Sequence, residues 1–185
     1  MLDYETQRRI ELFLFEEARL LDNRQFQEWL KLYEPQGIYW MPSQPGQTDP
    51  LNVASIVYED HAILAIRVQR LLEARALVLT PMPRTTHLVG NIEAEQTADG
   101  EFKVGAVFIC VEHQAETQKI YSGRHTWQLA RHDDSFRIRM KRVALMNCDG
   151  IHTVARASLS RQVGHLPAKA MDDVCAAIAY ALDCA

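Results

Sequence analysis

The chain has 185 residues, 48% of them apolar, and 20 Lys+Arg against 24 Asp+Glu give a net charge of −4 at neutral pH. That is the length of one domain with a sound core, and it excludes a chain that is mainly disordered. Slight acidity without a long basic run excludes a general nucleic-acid binder. No run of about 18 apolar residues is present to span a membrane, and the opening Met1-Leu2-Asp3-Tyr4-Glu5 lacks the order of a signal peptide, so a cytoplasmic protein is expected. Cys110, Cys148, Cys175 and Cys184 form no CxxC pair, and free thiols are expected.

Residues 4–21 read as a helix, with Ile10, Phe13, Leu14 and Leu21 at helical spacing and Asp22-Asn23 as its break. A second helix is expected from Phe26, Trp29, Leu30 and Tyr33, stopped by Pro35 and Gly37. Residues 38–41 form a short aromatic strand candidate, and residues 42–52, with three Pro and a Gly, a loop. An extended segment over residues 55–58 leads to Glu59-Asp60, acidic residues suited to a helix start. The third helix carries Leu64, Val68, Leu71 and Leu72, flanked by Arg67 and Arg70, and Pro81 and Pro83 bound the next loop.

From Thr85 the period changes to two, giving strands over residues 85–97, 102–110, 118–131 and 136 to about 147. Asp99-Gly100 marks a tight hairpin, and residues 132–135 a second turn. His87 and Asn91 are expected on one strand face, and His125 beside Trp127 on one face of a later strand. Helices followed by an antiparallel meander are the pattern of an α+β domain, with one sheet packed on about three helices and one face concave. Residues 1–150 make this domain. Residues 151–185 are an extension, in which Met171, Val174, Cys175, Ile178 and Leu182 give a possible helix at 168–183.

The sequence holds no GxGxxG, GxxxxGK[ST], GxSxG or HExxH, and no local His/Cys spacing argues for a metal in this chain. A concave face can still host acid–base chemistry, for which Asp60, His61, His87 and Tyr58 are the candidates. Filler or surface roles for these residues stand beside that reading. Arginine points elsewhere. Arg67, Arg70, Arg84 and Arg124, taken with Trp29, Tyr33, Tyr39 and Trp40, have the composition of a protein interface.

The ordered set Glu17-Ala18-Arg19-Leu20-Leu21-Asp22, Phe26, Trp29, Leu30, Tyr33, Tyr39-Trp40 and Pro42 resembles the small (beta) subunit of aromatic-ring-hydroxylating dioxygenases. The likeness continues through Ser55-Ile56-Val57-Tyr58-Glu59-Asp60, Arg67-Val68-Gln69-Arg70-Leu71, Pro83-Arg84-Thr85, His87, Asn91, Tyr121-Ser122-Gly123-Arg124 and Lys141-Arg142-Val143, covering roughly residues 10–150. The resemblance implies a strongly curved, cone-shaped α+β fold of the nuclear-transport-factor-like kind. It implies a homotrimer that supports large (alpha) subunits, and those subunits carry the Rieske iron–sulfur cluster and the mononuclear iron. This chain then has no catalytic residues or cofactor of its own, and Trp29, Tyr33, Tyr39, Trp40, Arg67, Arg70, Arg84 and Arg124 become interface residues. Thr48-Asp49-Pro50 and Tyr58-Glu59-Asp60 lean toward the aromatic-acid branch, while residues 151–185 depart from the family pattern. The alternatives are a stand-alone dehydratase or isomerase, or a small-molecule-binding protein, using the concave pocket.

Overall fold

The computed structural model describes residues 2–44, 46–73 and 81–146. The expected helix at 168–183 and the extension that holds it lie outside the described residues.

Helix α1 (Tyr4–Asp22) starts at Asp3, whose carboxylate accepts the Thr6 backbone N–H at 2.8 Å. Its apolar stripe buries Ile10, Phe13, Leu14, Leu20 and Leu21. Complete burial of side chains such as Ile10 and Leu14 is worth about 1.5–3 kcal/mol each. Helix α2 (Phe26–Leu30) is a short turn that plants Trp29 in the core.

Tyr33 does not extend that helix as the spacing predicts; it opens strand β1 (Tyr33–Pro42). Pairing with the last strand wins over helical period here, since Ile138 N–H donates to the Leu32 carbonyl at 2.7 Å and Tyr33 stands beside Ile138. Gly37 is needed at this crossing: a Cβ there would lie 2.8 Å from the Ile138 carbonyl oxygen and 2.9 Å from that of Glu34. Strand β2 (Ser55–Asp60) runs straight into helix α3 (His61–Leu72), capped by the Asp60 carboxylate on Ile63 N–H.

The remaining strands are β3 (Arg84–Gln96), β4 (Phe102–Gln114), β5 (Thr117–His132) and β6 (Ser135–Leu145). Gly100, at φ +85°, makes the expected Asp-Gly turn between β3 and β4. The six strands lie in the order β2-β1-β6-β5-β4-β3 in one open sheet. Pairing is antiparallel except between β1 and β6, which run parallel because β1 enters from the helices rather than from a hairpin. Register shifts at Tyr33/Ile38, Met41/Pro42, Gly90/Glu93 and Gln128/Leu129 bend the strands and curve the sheet.

Helix α1 lies along β3 and is held at both ends. Near its start, Gln7 donates to the Ile92 carbonyl at the β3 irregularity. At its end, Asp22 bonds Thr85 and His87. The two run in opposite directions, and the concave sheet face closes around the helix.

Candidate functional site

Two polar centres stand out on the concave face, whose buried side chains also include Glu112 at 2% exposure. The first is built on Glu17, 2% exposed, on the buried stripe of α1. Its Oε1 accepts from Trp29 Nε1 at 3.1 Å and from Lys141 Nζ at 2.8 Å, and its Oε2 from Trp127 Nε1 at 2.9 Å. Lys141 is itself 3% exposed and sits over the Trp127 ring at 5.7 Å. This carboxylate therefore joins α1, α2, β5 and β6. Tyr33 and Tyr39 pack on Trp29 edge-on, with ring centroids 5.1 and 6.1 Å away. Burial, then the Glu17 and Tyr39 charges, push the Tyr33 hydroxyl well above its ordinary pKa.

The second centre is a His–Asp pair at the mouth of the face. Asp22 accepts the Thr85 hydroxyl at 2.9 Å, the His87 backbone N–H at 2.9 Å, and the His87 ring at 2.6 Å through Nδ1. Burial favours the protonated Asp22, but the His87 ring and backbone bonds and the Thr85 bond outweigh it and hold the carboxyl below its ordinary pKa. A carboxylate can only accept, so Nδ1 carries the hydrogen. Behind this pair, Cys110 faces His87 in the β3–β4 register, and burial pushes its thiol up to about 12. His125, 5% exposed, stacks on Phe108 at 3.9 Å and meets Trp127 edge-on at 5.1 Å. Its Nδ1 has no hydrogen-bond partner, and burial, then the Lys141 and His87 charges, press its pKa well below the ordinary value.

The four acid–base candidates do not form one group. Asp60 is occupied as the α3 cap and His61 is the first residue of that helix. Tyr58 is 38% exposed, edge-on to Trp40. His87 lies on β3, at the opposite edge of the sheet from β2, and its partner is Asp22, which is not among the four acid–base candidates. Asn91 does not share the His87 face as strict alternation predicts, because it falls in the β3 irregularity with φ +50°. His125 and Trp127 do share a face, both buried.

The expected interface set divides by burial. Trp29, Tyr33 and Tyr39 are 1–3% exposed in the chain's own core. Trp40 is 5% exposed, donates to Ser55 Oγ at 2.9 Å and is covered by the Arg142 guanidinium at 5.0 Å. Arg67 is buried against Glu59 in a two-pronged ion pair whose Nε–Oε2 contact is 2.8 Å. These five side chains serve the fold and keep almost no area for another chain. Arg70, Arg84 and Arg124 are exposed. Arg84 and Arg124 lie on the outer sheet face, where Leu88, Ile109 and Ile120 are 67%, 43% and 54% exposed. Leu88 and Ile109 are direct cross-strand neighbours, and Arg124 pairs in register with Val107.

Among the described residues, no three or more His, Cys, Asp or Glu side chains are grouped to hold a metal ion. No helix among them is long and apolar enough to cross a membrane.

Comparison with known proteins gives a consistent result. The family model described as ring hydroxylating beta subunit matches residues 16–149. The chain is 34% identical over 147 residues to the 2-halobenzoate 1,2-dioxygenase small subunit of Burkholderia cepacia, covering 77% of this chain and 88% of that one. It is 30% identical over 140 residues to the anthranilate 1,2-dioxygenase small subunit of Acinetobacter baylyi, covering 73% and 86%. The crystal structure of the benzoate 1,2-dioxygenase beta subunit from Burkholderia mallei matches with a TM-score of 0.66 at 27% identity, covering 82% of this chain and 96% of that one.

Proposed function

The chain belongs to the ring hydroxylating beta subunit family, and from that premise we propose that it is the non-catalytic structural subunit of a dioxygenase acting on an aromatic carboxylic acid. The observation that carries this reading is the likeness to small subunits named for 2-halobenzoate and anthranilate, over most of both chains. The partner is a large alpha subunit that holds the iron–sulfur cluster and the mononuclear iron, and the small subunits form a homotrimer beneath three such partners. Cytoplasmic residence goes with this role.

The division of labour follows from the burial. A helix clamped to a curved sheet by Glu17 at one level and Asp22 at another is a rigid support. Its outer face offers Leu88, Ile109 and Ile120 between Arg84 and Arg124, the mixture of apolar and Arg side chains that subunit contacts favour. We assign subunit contact to this face rather than to the buried aromatics. Iron analysis of the purified chain tests the reading. No bound iron and no ring oxidation are expected from the chain alone, and stoichiometric iron in it would overturn the assignment.

A further inference from the structure

We propose that residues 170–185 form a helix that packs on the outer face of β3, β4 and β5 of the same chain, its acidic ends set against Arg84 and Arg124. This goes beyond the subunit contact assigned to that face: the chain's own segment occupies it first, and a second subunit gains it only by displacing that segment. Register builds the face. Leu88 stands beside Ile109 and Ile109 beside Ser122; one row along, Thr86 stands beside Val111 and Val111 beside Ile120. Phe108 and Cys110 are buried on the concave side, so alternation turns Ile109 and its row outward. At one end stands Arg84, in the row of His113, and at the other Arg124, in the row of Val107 and Gly90. Among the described residues no Asp or Glu points outward in these rows, so the face is apolar at its centre and cationic at both ends.

Residues 170–185 match this face in chemistry and in length. They hold Asp172, Asp173 and Asp183, no Lys, Arg or His, and the apolar stripe of Met171, Val174, Cys175, Ile178 and Leu182. Alanine supplies most of the remainder, which favours a helix and leaves it apolar nearly all round, so it needs a cover. Asp172 and Asp183 are about 16 Å apart along a helix. Arg84 and Arg124 stand six residues apart along the strands and two strands apart across them, about 22 Å by strand geometry, and their long side chains close the difference. The chain also leaves the sheet at this place. Met146 N–H donates to the Ser122 carbonyl at 2.8 Å, in the row of Leu88 and Ile109. Residues 147–169 span up to about 75 Å, far more than the width of the face, so reach sets no limit. A tethered segment meets the face at high effective concentration, which favours it over a second copy.

Photo-crosslinking of the full-length chain tests this. Benzoylphenylalanine is placed at Leu88 and, in a second variant, at Thr86, both exposed on this face. Irradiation of the dilute protein should give a single-chain product, and trypsin digestion should show the β3 peptide joined to the peptide that follows Lys169. Neutralising the acids together, as Asp172→Asn, Asp173→Asn and Asp183→Asn, should lower the yield of that product about threefold at low salt. A link to another segment, no product from either position, or a yield indifferent to the three substitutions would overturn the proposal. A two-chain product would overturn it too, while leaving the subunit contact on this face intact.

Discussion

Replacing Lys141 with Met removes the cation from a carboxylate that has no route to water. Glu17 and Lys141 are 2% and 3% exposed, and their contact is 2.8 Å. In the variant Glu17 keeps its indole donors, Trp29 at 3.1 Å and Trp127 at 2.9 Å, but its charge is uncompensated. Breaking one side of such a pair costs about 3–5 kcal/mol. Small proteins have only about 5–15 kcal/mol in total, so the loss is a large share. At about 2–4 °C per kcal/mol for a chain of this size, the melting temperature should fall by about 6–20 °C. Urea unfolding followed by tryptophan fluorescence reads the loss directly, since Trp29 and Trp127 both touch the carboxylate. The double variant Glu17→Gln/Lys141→Met separates charge from packing. It should recover much of the loss, short of full stability, because the two indoles donate to different Glu17 oxygens and the amide puts an NH2 group in place of one of them. A Lys141→Met midpoint within about 1 kcal/mol of wild type, with unchanged denaturant slope, would refute the idea that this ion pair organises the interior.

Asp22→Asn should destabilise the chain at neutral pH and matter progressively less in acid. The Asp22 pKa is lowered in the fold, so its stabilisation is present above the ordinary carboxylate pKa and is lost as pH falls through the folded value. Melting curves across that range check the sign, and a gap that widens toward acid would contradict it. Cys110, pushed up to about 12, should resist iodoacetamide at mildly alkaline pH until urea is added; peptide mapping that finds Cys110 alkylated in the folded chain would contradict its burial. Gly123→Ala drives a Cβ into the Ala144 carbonyl oxygen, where backbone must yield, and should cost about 1–3 kcal/mol in thermal unfolding. An unchanged melting temperature would show that the end of β6 moves freely.

The period of apolar residues made α1, α3 and the long strands legible, because each buries one face. It failed where pairing overrode period. Tyr33 fits the helical stripe of α2, yet the bond from Ile138 to the Leu32 carbonyl draws the chain into β1 at once. The parallel β1–β6 contact has no local signature, since neither strand reaches the other through a hairpin.

The site was legible only in pieces. Glu17 carried a signal that could have been read, a carboxylate on the same buried helix stripe as Phe13, Leu14 and Leu21. Asp22 carried another, because an acidic residue in the last turn opposes the helix dipole and so points to a partner. That partner, His87, is 65 residues away, and only the fold joins them. Composition drew Trp29, Tyr33, Tyr39 and Trp40 toward an interface, but large aromatic side chains fill cores and interfaces for the same physical reason, and burial alone separates the two.

In the proposed role this chain supports a metal-bearing partner and has no oxidative chemistry of its own. A tagged purification from the native host, with mass spectrometry of what comes with it and a visible spectrum of the eluate, tests this directly. A stoichiometric large chain is expected, with a red-brown iron–sulfur spectrum that leaves with that chain when the subunits are separated. A colourless protein that purifies alone at low salt would contradict it.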